Sequence, residues 1–138
     1  MNDRPDVVFA QSAAIPYRIK KGSPQVLLIT SRRRRRWIVP KGIIEEWQSP
    51  QEAAADESYE EAGVRGSVVG DPVGKYEYEK WGGTCRVELY LLQVEEVLPD
   101  WPESDLRERK WVGIDEALEL IDNDELCQIL QKAVRLMD

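Results

Sequence analysis

The sequence predicts an α/β (α+β) sandwich. Two observations carry that reading: strand-like apolar runs outnumber helical ones, and one strongly signalled helix interrupts the series of strands. At 138 residues the chain is about one domain, large enough to bury a core without staples. Apolar residues at 42 % and charged residues at 33 %, in patterned runs, exclude wholesale disorder and a fibrous chain.

The elements follow in order. Residues 7 to 19 and 25 to 31 alternate or run apolar as strands do, and Gly22-Ser23-Pro24 supplies turn chemistry between them, which predicts a hairpin. Trp37-Ile38-Val39 is a short strand ended by Pro40, and Lys41-Gly42 opens a glycine loop whose backbone could approach a metal or phosphate. Ser49-Pro50-Gln51-Glu52 is a capping box with proline at the first helical position. It predicts a helix through Ala62 with Gly63 as its stop. From Val68 to Val97 the pattern is strand-like, with Gly82-Gly83 marking a turn, and Leu98 to Arg109 is an acidic, proline-bearing loop. Trp111 to Ile114 is a last short strand, and Asp115 caps a short helix to Ile121. Leu126, Ile129, Leu130, Ala133, Val134 and Met137 recur at helical spacing and form the core face of a C-terminal helix.

Composition removes several chemistries. With no histidine and two cysteines, Cys85 and Cys127, the chain has no disulfide framework, no zinc site of the usual spacing and no Ser-His or Cys-His nucleophile pair. No apolar run approaches the roughly 20 residues of a membrane span. Met1 to Asp6 is mixed in charge and unlike an export signal, which predicts a cytoplasmic protein. Five tryptophans leave room for a buried homodimer contact.

Charge is unevenly spread. The net charge is -7, yet Val7 to Ile44 holds no acid and nine cations: Arg18, Lys20, Lys21, Arg32 to Arg36 and Lys41. A basic lobe joined to an acidic one suits a small, highly anionic ligand better than a duplex. Arg32 to Arg36 is otherwise a solvated loop or a weak nucleic-acid patch.

The chemistry-bearing feature is the capped helix. Glu57, Glu60 and Glu61 stand at i, i+3 and i+4, on one helical face, close to the negative end of the macrodipole. Asp56 adds to the repulsion, and no Lys or Arg lies four residues away within the helix. The arrangement asks for a cation from outside. Hard oxygen ligands suit Mg²⁺ or Mn²⁺, and two such ions roughly 3.5 to 4 Å apart would support attack of water on phosphorus. A solvated acidic face is the plainer alternative.

Gly42 to Val64 resembles the Nudix box, G-x5-E-x7-R-E-U-x-E-E-x-G-U with U a bulky aliphatic residue. Gly42, Glu57, Glu60, Glu61, Gly63 and Val64 agree, whereas Gln48, Asp56 and Ser58 replace the Glu, Arg and aliphatic residue of the pattern. Ser31 to Pro40, Glu95 to Trp101, Arg109 to Trp111 and Ile114 to Ala117 are similar to the diphosphoinositol polyphosphate phosphohydrolase branch of that superfamily. The resemblance implies an α/β/α sandwich around a mixed sheet. It also implies hydrolysis of a pyrophosphate bond with Mg²⁺ or Mn²⁺, on diphosphoinositol phosphates or diadenosine polyphosphates. By the same resemblance Glu57 and Glu61 are metal ligands, the Gly42 carbonyl a third donor, and Glu60 a further ligand or the base, with Glu57 sharing the catalytic role. Arg32, Arg86 and Arg109 are implied as phosphate contacts, with Lys41, Lys20 and Lys21 attracting the anion; Glu88 is an extra ligand or plain surface. Because the box arginine orients the glutamates in the family, Asp56 and Gln48 leave two expectations standing: a hydrolase, or a sensor that binds without turnover.

Overall fold

The structure, a computed structural model, describes residues 7–138. Met1 to Asp6, on which the export-signal reading rests, lie outside the described residues.

The strands β1 (Val8–Lys20) and β2 (Ser23–Thr30) form the expected hairpin, but its turn is Lys21-Gly22. Both turn residues lie at positive φ, 52° and 82°, as a two-residue turn between right-twisted strands requires. Pro24 therefore falls inside β2, opposite Ile19, next to the turn-closing pair Lys20 and Ser23. Two short strands follow, β3 (Trp37–Ile38) and β4 (Lys41–Ile43), then helix α1 (Pro50–Ala62). The long pair β5 (Val64–Lys80) and β6 (Gly83–Val97) turns at Trp81-Gly82, one residue earlier than predicted, again with both residues at positive φ. The strand β7 (Arg109–Gly113) runs directly into α2 (Ile114–Leu120), and α3 (Asp124–Ala133) ends in a 3-10 turn over Val134–Leu136.

These strands make one mixed sheet in the order β3-β2-β1-β6-β5, with β4 also on β1 and β7 also on β2. The β1 and β6 pairing is parallel and the rest are antiparallel. Beyond Tyr17 and Val26 the hairpin strands part, and Trp37 to Ile43 crosses the opening, pairing first with β2 and then with β1. Pro40 lacks an N–H but still serves, its carbonyl accepting from the Ala14 N–H at 3.0 Å. Gly42 is thus a strand residue opposite Ser12 rather than part of a glycine loop.

Strand alternation builds two cores. Ala13, Ile15, Tyr17, Val87, Leu89 and Leu91 face α2 and α3, where they meet Ala117, Leu126, Leu130 and Ala133. Ala14, Leu27, Ile29, Tyr90 and Leu92 face α1 and meet Ala54 and Ala62. Helices therefore cover both faces of the sheet, the sandwich expected from sequence.

Helix α1 has the predicted bounds. Ser49 Oγ accepts from the Glu52 N–H at 3.0 Å, and Glu52 Oε1 accepts from the Ser49 N–H at 3.1 Å. Gly63 closes the helix at φ 68°, its N–H reaching the Ser58 and Tyr59 carbonyls. The cap of α2 departs from expectation: Gly113 is the N-cap and Asp115 lies in the first turn. Gly113 is still paired to Gln25 in the sheet, so the helix starts where the strand stops and leaves no separate capping residue. Asn123 caps α3, accepting from the Leu126 N–H at 3.1 Å. Among the described residues no helix is long and apolar enough to cross a membrane.

A methyl group on Gly63 would meet Arg109 Nη1 at 2.6 Å and the Trp101 ring at 2.7 Å, on a backbone that L side chains rarely adopt. Urea unfolding of Gly63→Ala should show a loss of about 1 to 3 kcal/mol, with the slope against denaturant unchanged.

Candidate active site

The capping box and the αL glycine fix the register of α1, and burial of Ala54, Ser58 and Ala62 against the sheet fixes its rotation. Glu57 and Glu61 consequently turn toward the place where β4 crosses the sheet. An added Cβ on Gly42 would lie 2.2 Å from Glu57 Oε1, so the carboxylate occupies the volume a side chain would fill. In the pairing of β4 with β1 the Lys41 N–H faces away from β1, and it donates to Glu61 Oε1 at 3.2 Å. Ser12, opposite Gly42, shares that face, and its buried Oγ has no hydrogen-bond partner among the described residues.

Glu61 is 8 % exposed. Burial raises its proton affinity, and the Arg107 guanidinium, 3.3 Å from Oε2, opposes that rise. Glu57 is pushed up to about 8, first by burial and then by the facing Glu61, with which it shares a side-chain hydrogen bond. Glu60 is exposed, and its charge adds to the rise at Glu57. Among the described residues no group of three or more His, Cys, Asp or Glu side chains is arranged to hold one ion. The donors present still suit a hard cation: two facing carboxylates with raised proton affinity, a glycine against which one of them rests, and an orphaned hydroxyl beside it.

The three departures from the box each have a local explanation. Gln48 Nε2 donates to Asp56 Oδ2 at 2.6 Å, so the two altered polar positions pair with one another. Ser58, fully buried where the pattern has an aliphatic residue, returns its hydroxyl to the Ala54 carbonyl at 2.9 Å.

The cations separate into groups. Arg109 sends Nη1 to the Ala62 and Gly63 carbonyls at 3.0 and 3.2 Å and Nη2 to the Leu98 carbonyl at 2.6 Å, while lying over the Trp101 ring. Its donors are thus spent on the C-terminus of α1. Arg86 is exposed on β6 and paired with Glu77 at 3.1 Å. Arg32 is exposed in the connection from β2 to β3, where Arg35 pairs with Glu108 and Arg36 with Asp122. Lys41 turns to the opposite face of the sheet, its Nζ donating to the Tyr78 hydroxyl at 3.2 Å, and burial lowers its pKa. Glu88, half-buried on β6, lies opposite Ser12 and accepts from the Tyr90 hydroxyl at 3.5 Å.

Lys41 also lines a cleft of about 310 Å³ whose walls include Trp37, Tyr76, Tyr78, Ile121 and Leu126. One residue therefore has its backbone at the carboxylates and its side chain in the cleft. Sequence reasoning missed this cleft, and it missed Arg107. The absence of a basic partner within α1 was the available signal for the latter.

Glu57 binds its proton up to about pH 8 in the folded chain, whereas an unfolded carboxyl releases it near 4.5. The folded state then holds more protons across that window, so stability falls as pH rises through it. Melting in EDTA should show Tm declining from about pH 5 to pH 8, and Glu57→Gln should flatten the decline; equal slopes for the two proteins would refute the assignment.

A NUDIX domain model matches residues 9–132. Nudix hydrolase 13, mitochondrial, of Arabidopsis thaliana is 36 % identical over 148 residues, covering 91 % of this chain and 73 % of that protein. Diphosphoinositol polyphosphate phosphohydrolase 3-alpha of Homo sapiens is 34 % identical over 113 residues, 80 % of this chain and 68 % of that protein. Some plant relatives extend further beyond the match, the chain spanning 57 % of Nudix hydrolase 16, mitochondrial, of Arabidopsis thaliana. In structure, the C. elegans Ap4A hydrolase superposes with a TM-score of 0.78 at 24 % identity, over 94 % of this chain and 98 % of that one, which establishes the likeness of fold. With a helix that pairs Glu57 and Glu61 over Gly42 inside a matched domain, the chain belongs to the Nudix hydrolase family.

Proposed function

We propose that this protein hydrolyses a pyrophosphate bond in a polyphosphorylated small molecule, with Mg²⁺ or Mn²⁺ as cofactor. The observation that carries the reading is the pair of facing carboxylates, half-buried Glu57 and buried Glu61, set against the backbone of Lys41 and Gly42. Glu57 and Glu61 would hold the cation, with Glu60 and the Gly42 carbonyl as further oxygen donors. When bound, the ion neutralises charge on the phosphates and makes water a better nucleophile. Glu60, exposed at the helix surface, or Glu57 takes the proton as the water oxygen bonds to phosphorus and the anhydride P–O bond breaks. Arg32, exposed, and Arg86, exposed and paired through Nε with Glu77, would supply guanidinium donors to phosphate. Arg109 contributes indirectly, by holding the end of α1.

Within this class the aromatic cleft favours a nucleoside over an inositol ring. Trp37 and Tyr78 offer aromatic surface, and the lining carries the acids Glu77, Asp122 and Glu125 against the cations Arg36 and Lys41, a poorer setting for a ring studded with phosphates than for a base. A non-catalytic sensor is the second reading, favoured by Asp56 standing where the box has its arginine.

A panel of a diadenosine polyphosphate, a nucleoside diphosphate sugar and a diphosphoinositol phosphate separates these readings. Turnover should require Mg²⁺ or Mn²⁺ and be fastest on the dinucleotide, and Glu61→Gln should cost about 10²-fold to 10⁴-fold in kcat. Tight binding without phosphate release identifies the sensor instead. Full activity in Glu61→Gln would show that the site lies elsewhere.

Gly42→Ala tests the cradle. The atoms nearest its Cβ are the far end of the Glu57 side chain, so the fold should survive while the carboxylate is displaced. Calorimetric titration should then show Mn²⁺ affinity reduced by about tenfold or more, with Tm in EDTA close to that of the parent.

A further inference from the structure

Arg107 lies in the connection between β6 and β7, yet its side chain is only 7 % exposed. Its guanidinium is split among three acceptors: Nη2 is 3.3 Å from Glu61 Oε2, Nε is 2.9 Å from Glu103 Oε1, and Nη1 donates to the Thr30 carbonyl at 3.0 Å. Thr30 belongs to β2 and is itself buried, so the fork is anchored to the sheet. Glu61 is consequently held through both oxygens, Oε1 by the Lys41 N–H and Oε2 by Arg107. Such two-point fixing sets the plane of the carboxylate, which one N–H cannot do. The helix itself provides no such group: Asp56 stands at the box arginine, and its carboxylate is engaged with Gln48.

We propose that Arg107 is the positioning residue for Glu61, supplying from the connection between β6 and β7 that packs on the end of α1 the guanidinium that the helix itself lacks. The inference rests on the reading of Glu61 as a metal ligand. Without the fork, Glu61 Oε2 has no basic partner on the protein and the Lys41 N–H alone leaves the carboxylate plane free to rotate, so the cation loses a fixed oxygen. Glu103, the other acid on the fork, holds the guanidinium in turn, and its charge adds to the raised proton affinity of Glu57 and Glu61.

The test is a double-mutant cycle read by Mn²⁺ titration, alongside kcat and KM on the turned-over substrate. Arg107→Met should weaken Mn²⁺ binding about tenfold in the parent, and by less than about twofold in Glu61→Gln. Arg107→Lys, which keeps a charge for Thr30 and Glu103 but loses the fork, should fold and lie between the two, with kcat falling and KM little changed. Arg107→Lys and Arg107→Met that bind Mn²⁺ as the parent does would overturn the proposal, and so would equal losses in the parent and Glu61→Gln backgrounds, which mark a general structural role. A parent protein that binds no Mn²⁺ fails at the first titration, before any variant is compared, and removes the metal reading together with this one.

Discussion

The site depends on how the C-terminus of α1 is held. A helix ending in Glu60 and Glu61 places carboxylates at the negative end of its own dipole, beside carbonyls with no partner inside the helix. The segment after β6 supplies those partners one after another. Glu103 N–H donates to the Glu60 carbonyl, Trp101 Nε1 to that of Glu61, Arg109 to those of Ala62 and Gly63, and Leu98 N–H to that of Gly63. Arg109 adds a positive charge at that end, which for a helix terminus is worth about 0.3 to 1 kcal/mol when exposed and up to ~2 when partly buried. Its seat over the Trp101 ring, 3.9 Å from the centroid, keeps the charge where it acts. A stretch without regular structure is therefore the clamp that makes an acidic helix end tolerable.

The second constraint is the parting of β1 and β2. Were the hairpin zipped along its length, no backbone could enter between the strands, and Glu61 would have no amide to bind. Because the strands separate after Tyr17 and Val26, β4 can lie on β1 with one edge spent on the ladder and the other offered to α1. The absence of a side chain at Gly42 then lets Glu57 settle against the strand. The same crossing carries the Lys41 side chain to the opposite face, so the carboxylate pair and the aromatic cleft are joined through a single residue.

What could be read from the sequence was local. Ser49 to Gly63 carries its helix in short-range chemistry, a capping box, a proline at the first turn and a glycine that reaches φ 68°, and the observed bounds coincide with the expected ones. The strands were legible through alternation, and the turns were misplaced by a residue because Gly22 and Gly82 are each the second residue of a tight turn whose first is Lys21 or Trp81. Nothing local marks β4, whose three residues are strand only because β1 offers them an edge. Arg107 was invisible for the same reason: its partners Thr30 and Glu61 are 77 and 46 positions away, and its own neighbourhood reads as an acidic loop. Repulsion among the α1 acids did indicate that a cation must come from outside the helix. One such cation proves to be a guanidinium.

That finding narrows the electrostatic argument without removing it. Arg107 faces Glu61 and Glu103 at once, so its single charge is already divided when Glu57 is considered. Glu57 keeps its raised proton affinity beside the pair, as expected of an acid that the guanidinium does not reach. The departures from the box fit this division of labour. Gln48 and Asp56 satisfy each other at the solvent side of α1, and Ser58 is satisfied by its own helix, so none of the three changes draws on the carboxylates that face β4. The outer contacts of the motif have been rewritten while the inner pair, Glu57 and Glu61, is held by the sheet and the clamp. A protein indifferent to a cation would gain stability by replacing either acid with an apolar residue of similar size, because an acid buried against another acid opposes folding. The fork and the amide that hold Glu61 offset part of that cost, and they support the proposed reading of the pair as cation ligands.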